Sequence, residues 1–148
     1  MAKHLHVRVA LACVALLVLV ACGETSAPRA DAVRIVATPG IAALYLELEA
    51  EPGTRLVSIE APAGRVETHA TVEEDGVVRM EPRPDGFEVP ASGRLSLAPG
   101  GAHGMLIEPD LPPREVASRV AITLHLLTPD GREIAEPVYA AIERMGDG

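Results

Sequence analysis

The chain has 148 residues, 48% hydrophobic and only 2% aromatic, with 13 Lys+Arg against 21 Asp+Glu for a formal charge of −8. That length suits one domain. The acidic balance and the absence of Trp exclude a phosphate-neutralising surface and a base-stacking platform, so nucleic acid is not an expected partner.

Residues 1–21 read as a secretory signal. Lys3 and Arg8 make a basic start, and Val9 to Ala21 is apolar and uncharged, short for a membrane span. The run ends in Leu19-Val20-Ala21-Cys22, which resembles a bacterial lipobox, so Cys22 is the expected lipidation residue. The competing readings are a signal peptide without lipid and an N-terminal anchor helix. Cleavage before Cys22 would remove Cys13 and two cations. The mature chain of 127 residues then has no disulfide and no free thiol, and its charge is 11 basic against 21 acidic groups. Residues 22–32, small and polar with Pro28 among them, read as a flexible tether from lipid to domain.

From 33 to 142 short alternating runs follow one another. In Ala42–Glu49, Leu44, Leu46 and Leu48 share one face, while Tyr45, Glu47 and Glu49 share the other. Similar runs are Arg55–Ile59, Val66–Val72, Val77–Glu81, Phe87–Val89, Arg94–Leu97, His103–Ile107, Val120–Leu127 and Ile134–Ala141. Turn residues separate them, among them Pro52-Gly53, Asp75-Gly76, Asp85-Gly86, Pro99-Gly100-Gly101 and Asp130-Gly131. Such spacing predicts an all-β sandwich or barrel. Residues 112–118 allow one short helical turn, and residues 143–148 read as a disordered tail. Tyr45 and Tyr139 read as core edges, and His125 as a structural residue of an apolar strand.

The mature chain keeps three His and three Met, and four of these six fall into one pattern: His69, ten residues, Met80, 22 residues, His103-x-Met105. His103 and Met105 are i and i+2 on an expected strand and share a face. His69 and Met80 flank an expected hairpin that turns at Asp75-Gly76. A two-residue or a four-residue loop puts them on one face, and a three-residue loop puts them on opposite faces. Thioether sulfur is soft and uncharged and selects Cu(I), while imidazole suits copper in either oxidation state. Zinc, calcium and magnesium would not choose a thioether pair. The acidic run Glu73-Glu74-Asp75 reads as a solvated hairpin tip.

These residues resemble the PCu(A)C-type periplasmic copper chaperones, whose signature is H-x(10)-M-x(about 21)-H-x-M. The likeness extends through Gly64–His69, Glu74–Pro82 and Leu97–Leu106 and covers about residues 33–141. The resemblance implies a cupredoxin-like (Ig-like) Greek-key β-sandwich of about seven to nine strands. It implies a Cu(I) site built from His69, Met80, His103 and Met105. It also implies a metallochaperone, not an enzyme, and the lipidation expected at Cys22 would anchor it to a membrane at the periplasm or cell surface. Its recipient would be the CuA centre of cytochrome oxidase or a Sco-type protein, and a monomer is expected. The sequence departs from the family in a second gap one residue longer, in Gly104 and Ile107, and in the Pro-rich segment after Leu106. The alternative is a structural or adhesive Ig-like lipoprotein without metal. No G-x-S-x-G or H-E-x-x-H motif points to a hydrolase.

Overall fold

The computed structural model describes residues 26–145; the expected signal peptide and Cys22 lie outside the described residues. Ten strands fill this stretch: β1 (Arg29–Thr38), β2 (Ile41–Glu49), β3 (Arg55–Glu60), β4 (Arg65–Glu74), β5 (Val77–Pro82), β6 (Phe87–Glu88), β7 (Arg94–Leu97), β8 (Ala102–Ile107), β9 (Arg119–Leu127) and β10 (Glu133–Arg144). Each alternating run expected from the sequence forms one of β2 to β10. The strand not expected is β1, which takes the count one above the expected range.

Strand order explains why β1 matters. The sheet runs β5-β4-β8-β2-β1-β10-β9-β3-β6, with β7 also paired to β2. β1 is antiparallel to β2 on one side and parallel to β10 on the other, so it joins the two layers of a sandwich into one path. Leu44, Leu46 and Leu48 of β2 and Leu106 of β8 meet Leu56 and Ile59 of β3 and Ile122, Leu124 and Leu126 of β9 in one buried cluster. Each such side chain contributes roughly 1.5–3 kcal/mol by leaving water.

The edges of the domain differ from the sequence reading. Arg29 to Asp31, expected in the tether, already pair with β2 through Arg29↔Glu49, Ala30↔Leu48 and Asp31↔Glu47. A bulge between Asp31 and Arg34, with Ala32 at φ 51°, breaks the alternation there. At the other end β10 continues to Arg144, and the Met145 amide donates to Ala37 O at 3.1 Å. Tyr139 is not a core edge: it is 72% exposed, because the buried phase of β10 falls on Ala140 instead. Tyr45 is half-buried, with the Arg34 guanidinium 5.2 Å from its ring centre.

The β4–β5 hairpin carries the first two candidate ligands. Its loop is Asp75-Gly76 alone, with Glu74 opposite Val77. Both loop residues have positive φ, 52° and 76°, as the tightest hairpin turn requires. Of the loop lengths weighed above, the two-residue one is therefore realised. The acidic tip Glu73-Glu74-Asp75 is exposed.

Candidate metal centre

Register places all four candidate ligands on one face. His69 of β4 lies directly opposite His103 of β8, and Glu67 lies opposite Met105. On the other side of β4, Thr71 lies opposite Met80 of β5 and His69 opposite Pro82. Directly opposed residues point to the same side of a sheet, and so do residues two apart on a strand. His69, Met80, His103 and Met105 therefore share the outward face, while Val66, Thr68, Gly104 and Leu106 alternate onto the inner one.

The two imidazoles are brought together. Their ring centres stand 6.0 Å apart at an interplanar angle of 29°. Both residues are buried on this outward face, His69 at 9% and His103 at 6% exposure. The thioethers are not drawn together in the same way. Met80 is 59% exposed and Met105 half-buried, and they stand on opposite sides of the imidazole pair along the strands. On a flat ladder their Cα atoms would be ~16 Å apart, two strands across and four residues along. That separation is wider than two thioether arms reach, and Met105 is the sulfur that stands nearer the imidazole pair.

Hydrogen bonds fix which nitrogen of each ring carries a proton. His103 Nδ1 lies 3.0 Å from Gly101 O; a carbonyl only accepts, so Nδ1–H donates and Nε2 keeps the lone pair. His69 Nε2 lies 3.1 Å from Glu67 Oε2, so Nε2–H donates and Nδ1 keeps its lone pair. That Nδ1 is buried with no hydrogen-bond partner. Leaving such a group unsatisfied costs about 1–3 kcal/mol. In the neutral form of each ring these hydrogen bonds leave one nitrogen per imidazole open to a soft cation.

Glu67 was not singled out in the sequence, although its place two residues before His69 on the same strand face was readable. Arg65 Nη1 donates to Glu67 Oε1, and Glu67 Oε2 accepts from His69 Nε2–H, forming a chain along one face of β4. Such an outer carboxylate orients a ligating ring. Gly104 explains itself from the inner side: a Cβ there would stand 3.2 Å from Leu44 Cβ and 3.4 Å from Val66 Cγ1. Its lack of a side chain lets β8 lie close over the core between His103 and Met105. His125 pairs with Glu60 Oε2 at 3.2 Å on another strand and belongs to no ligand group. Among the described residues no three His, Cys, Asp or Glu side chains cluster as a metal site, so any such centre depends on the methionines.

Comparison with known proteins now bears on this geometry. The family described as "Putative lipoprotein LpqE-like" matches residues 25–138. The chain belongs to the LpqE-like family. The chain is also similar to "Putative lipoprotein Lxx21020" of Leifsonia xyli subsp. xyli, 30% identical over 129 residues, covering 81% of this chain and 77% of that protein. Among solved structures, the copper-bound PCuAC domain from PmoF2 superposes with a TM-score of 0.58 at 22% identity, covering 81% of this chain and 95% of the domain. The solution structure of CuI-DR1885 from Deinococcus radiodurans gives 0.54 at 22% identity, covering 83% of this chain and 80% of that one. This LpqE-like protein thus has the PCuAC fold, as the sequence resemblance led one to expect.

Proposed function

We propose that this LpqE-like protein is an extracytoplasmic copper metallochaperone, binding Cu(I) through His69, Met80, His103 and Met105 and handing it to a recipient such as the CuA subunit of cytochrome oxidase. The observation that carries the reading is the buried His69–His103 pair, each ring with one nitrogen free and one Nδ1 without any partner. Two solved proteins of the same fold, the PmoF2 domain and CuI-DR1885, were determined with copper, which supports the choice of metal.

The geometry suggests how cargo is held and released. The imidazole pair with the nearer thioether of Met105 forms an inner seat. Met80, well exposed on an outer strand, is the arm that exchanges with an incoming ligand. Neutral ligands leave the ion's charge uncompensated, so the ion is not trapped. Lipidation at Cys22 would hold the domain at a membrane. Residues 23–28 reach at most ~20 Å when extended, so the tether to the lipid would be short.

The test uses the chain from residue 23 onward, without the expected signal peptide and lipidated Cys22. Competition with a chromophoric Cu(I) chelator is expected to show one Cu(I) per chain, and X-ray absorption of the loaded protein to show sulfur beside nitrogen. Equal competition by a variant lacking all four ligands, or a shell without sulfur, overturns the proposal. Glu67→Ala is expected to weaken Cu(I) binding by ~10-fold, with most of the loss recovered in Glu67→Gln, because the carboxylate acts only by orienting His69. An unchanged affinity in Glu67→Ala removes that role.

A further inference from the structure

The long free edge of the sheet is β5. It ends the strand order, pairs only with β4 among the described residues, and is exposed at every position, with Val77, Val78 and Met80 its large apolar side chains. The strand at the other end of the path, β6, has only two residues. An unpaired edge of this length is a template for another strand unless something blocks it.

The hydrogen-bond phase of the hairpin says which groups are open. The Arg83 amide donates to Thr68 O at 2.7 Å, so Thr68 and Arg83 are a bonded pair. Bonded and non-bonded pairs alternate along an antiparallel ladder. Glu81, Arg79 and Val77 therefore direct their N–H and C=O groups to Ala70, Val72 and Glu74. The N–H and C=O of Val78 and Met80, and the C=O of Pro82, face the open edge.

We propose that a second copy of this chain docks on this edge, β5 against β5 and antiparallel, about a two-fold axis at Met80. In that register Met80 exchanges both backbone hydrogen bonds with its own copy. Val78 N–H reaches the second copy's Pro82 carbonyl, the one backbone group a proline still offers. Arg79 falls opposite the second copy's Glu81, twice by symmetry. The neighbouring registers with the same open groups set Arg79 against Arg79 or Glu81 against Glu81, where like charges repel. Charge therefore selects the Met80-centred register. The existing ion pairs of these side chains, Arg79–Glu74 at 3.9 Å and Glu81–Arg83 at 3.2 Å, are exposed and exchange at little cost. The interface is isologous, the commonest kind. It puts the two Met80 side chains side by side on the face that carries both imidazole pairs.

Sedimentation velocity of metal-free protein over a concentration series tests this apart from copper binding, so either idea can fail alone. A concentration-dependent dimer is expected. Arg79→Glu should raise its dissociation constant by ~10-fold, since each of two attractive pairs becomes repulsive. Arg79→Glu with Glu81→Arg should restore it to within ~3-fold. Arg79→Cys and Glu81→Cys proteins should cross-link when mixed and not separately. A monomer up to ~1 mM, a dimer indifferent to Arg79→Glu, or a double variant that stays weak would each overturn the proposal.

Discussion

His69→Leu is expected to weaken Cu(I) binding by at least ~100-fold, more than the loss typical of an outer-shell partner, while leaving the metal-free domain as stable as before or up to ~2 kcal/mol more stable. The two halves of this result come from the same atom. His69 Nδ1 is buried and unpaired, so the metal-free fold carries its desolvation cost without a hydrogen bond in return. Leucine removes that group and fills similar space with apolar carbon. The one bond lost, to Glu67 Oε2, leaves a carboxylate that is still held by Arg65 and partly solvated. An imidazole kept for structure would behave in the opposite way: its replacement would destabilise the fold and leave copper unaffected. His103→Leu provides the internal contrast. It should lose copper equally but cost ~1 kcal/mol, because His103 Nδ1–H does have a partner in Gly101 O. That carbonyl keeps the Thr71 amide at 3.0 Å, so the cost stays small. Chelator competition and urea unfolding of the two variants measure both halves. A stability loss of ~2 kcal/mol in His69→Leu would assign the ring to structure.

The fold was legible where alternation was strong. β2 and β9 bury every second residue, and their leucines announced it. β1 was missed because its only residue in the fully buried core is Ile35, and a bulge resets its phase before that residue. Its partners, β2 and β10, lie near and far along the chain, and no local pattern encodes a parallel pairing with the last strand. Tyr139 was misplaced for a related reason: Val138-Tyr139-Ala140-Ala141 is apolar in both phases of β10, so side-chain type does not tell which face is buried. For the candidate site, spacing put His103 and Met105 on one face and left His69 and Met80 to the loop length; the two-residue turn and the pairing of β4 with β8 join the two pairs on a single face. The tautomers were not readable, because they depend on Glu67 and on the Gly101 carbonyl, which tertiary pairing brings within reach. Nor was the offset of the two sulfurs, which follows from the register of β4 with both neighbours at once.

Gly86→Ala is expected to destabilise the domain by ~3 kcal/mol or more, because its Cβ meets the closest contact of any described glycine. Gly86 closes the turn after β5, its amide donating to Arg83 O at 2.8 Å, and it sits at φ +69°. A Cβ built there stands 1.8 Å from Leu56 O and 3.1 Å from Val57 Cα, both backbone atoms of β3. No rotamer change relieves contact with a main chain, so either the turn lifts or β3 bends. Lifting the turn breaks the short pairing of β6 with β3, Leu56↔Phe87 and Arg55↔Glu88, and with it the ion pair Arg55–Glu88. Bending β3 disturbs Leu56, which is fully buried in the core. Gly76→Ala separates this clash from the backbone conformation alone. It has a similar φ, +76°, but nothing within 4 Å of the new Cβ, so only the left-handed conformation is penalised, at about 1–2 kcal/mol. Urea midpoints of the two variants should therefore differ clearly, with Gly86→Ala the weaker. Equal losses would mean that β3 and the turn yield freely at this contact, and that β5 is not anchored to the second layer through Gly86.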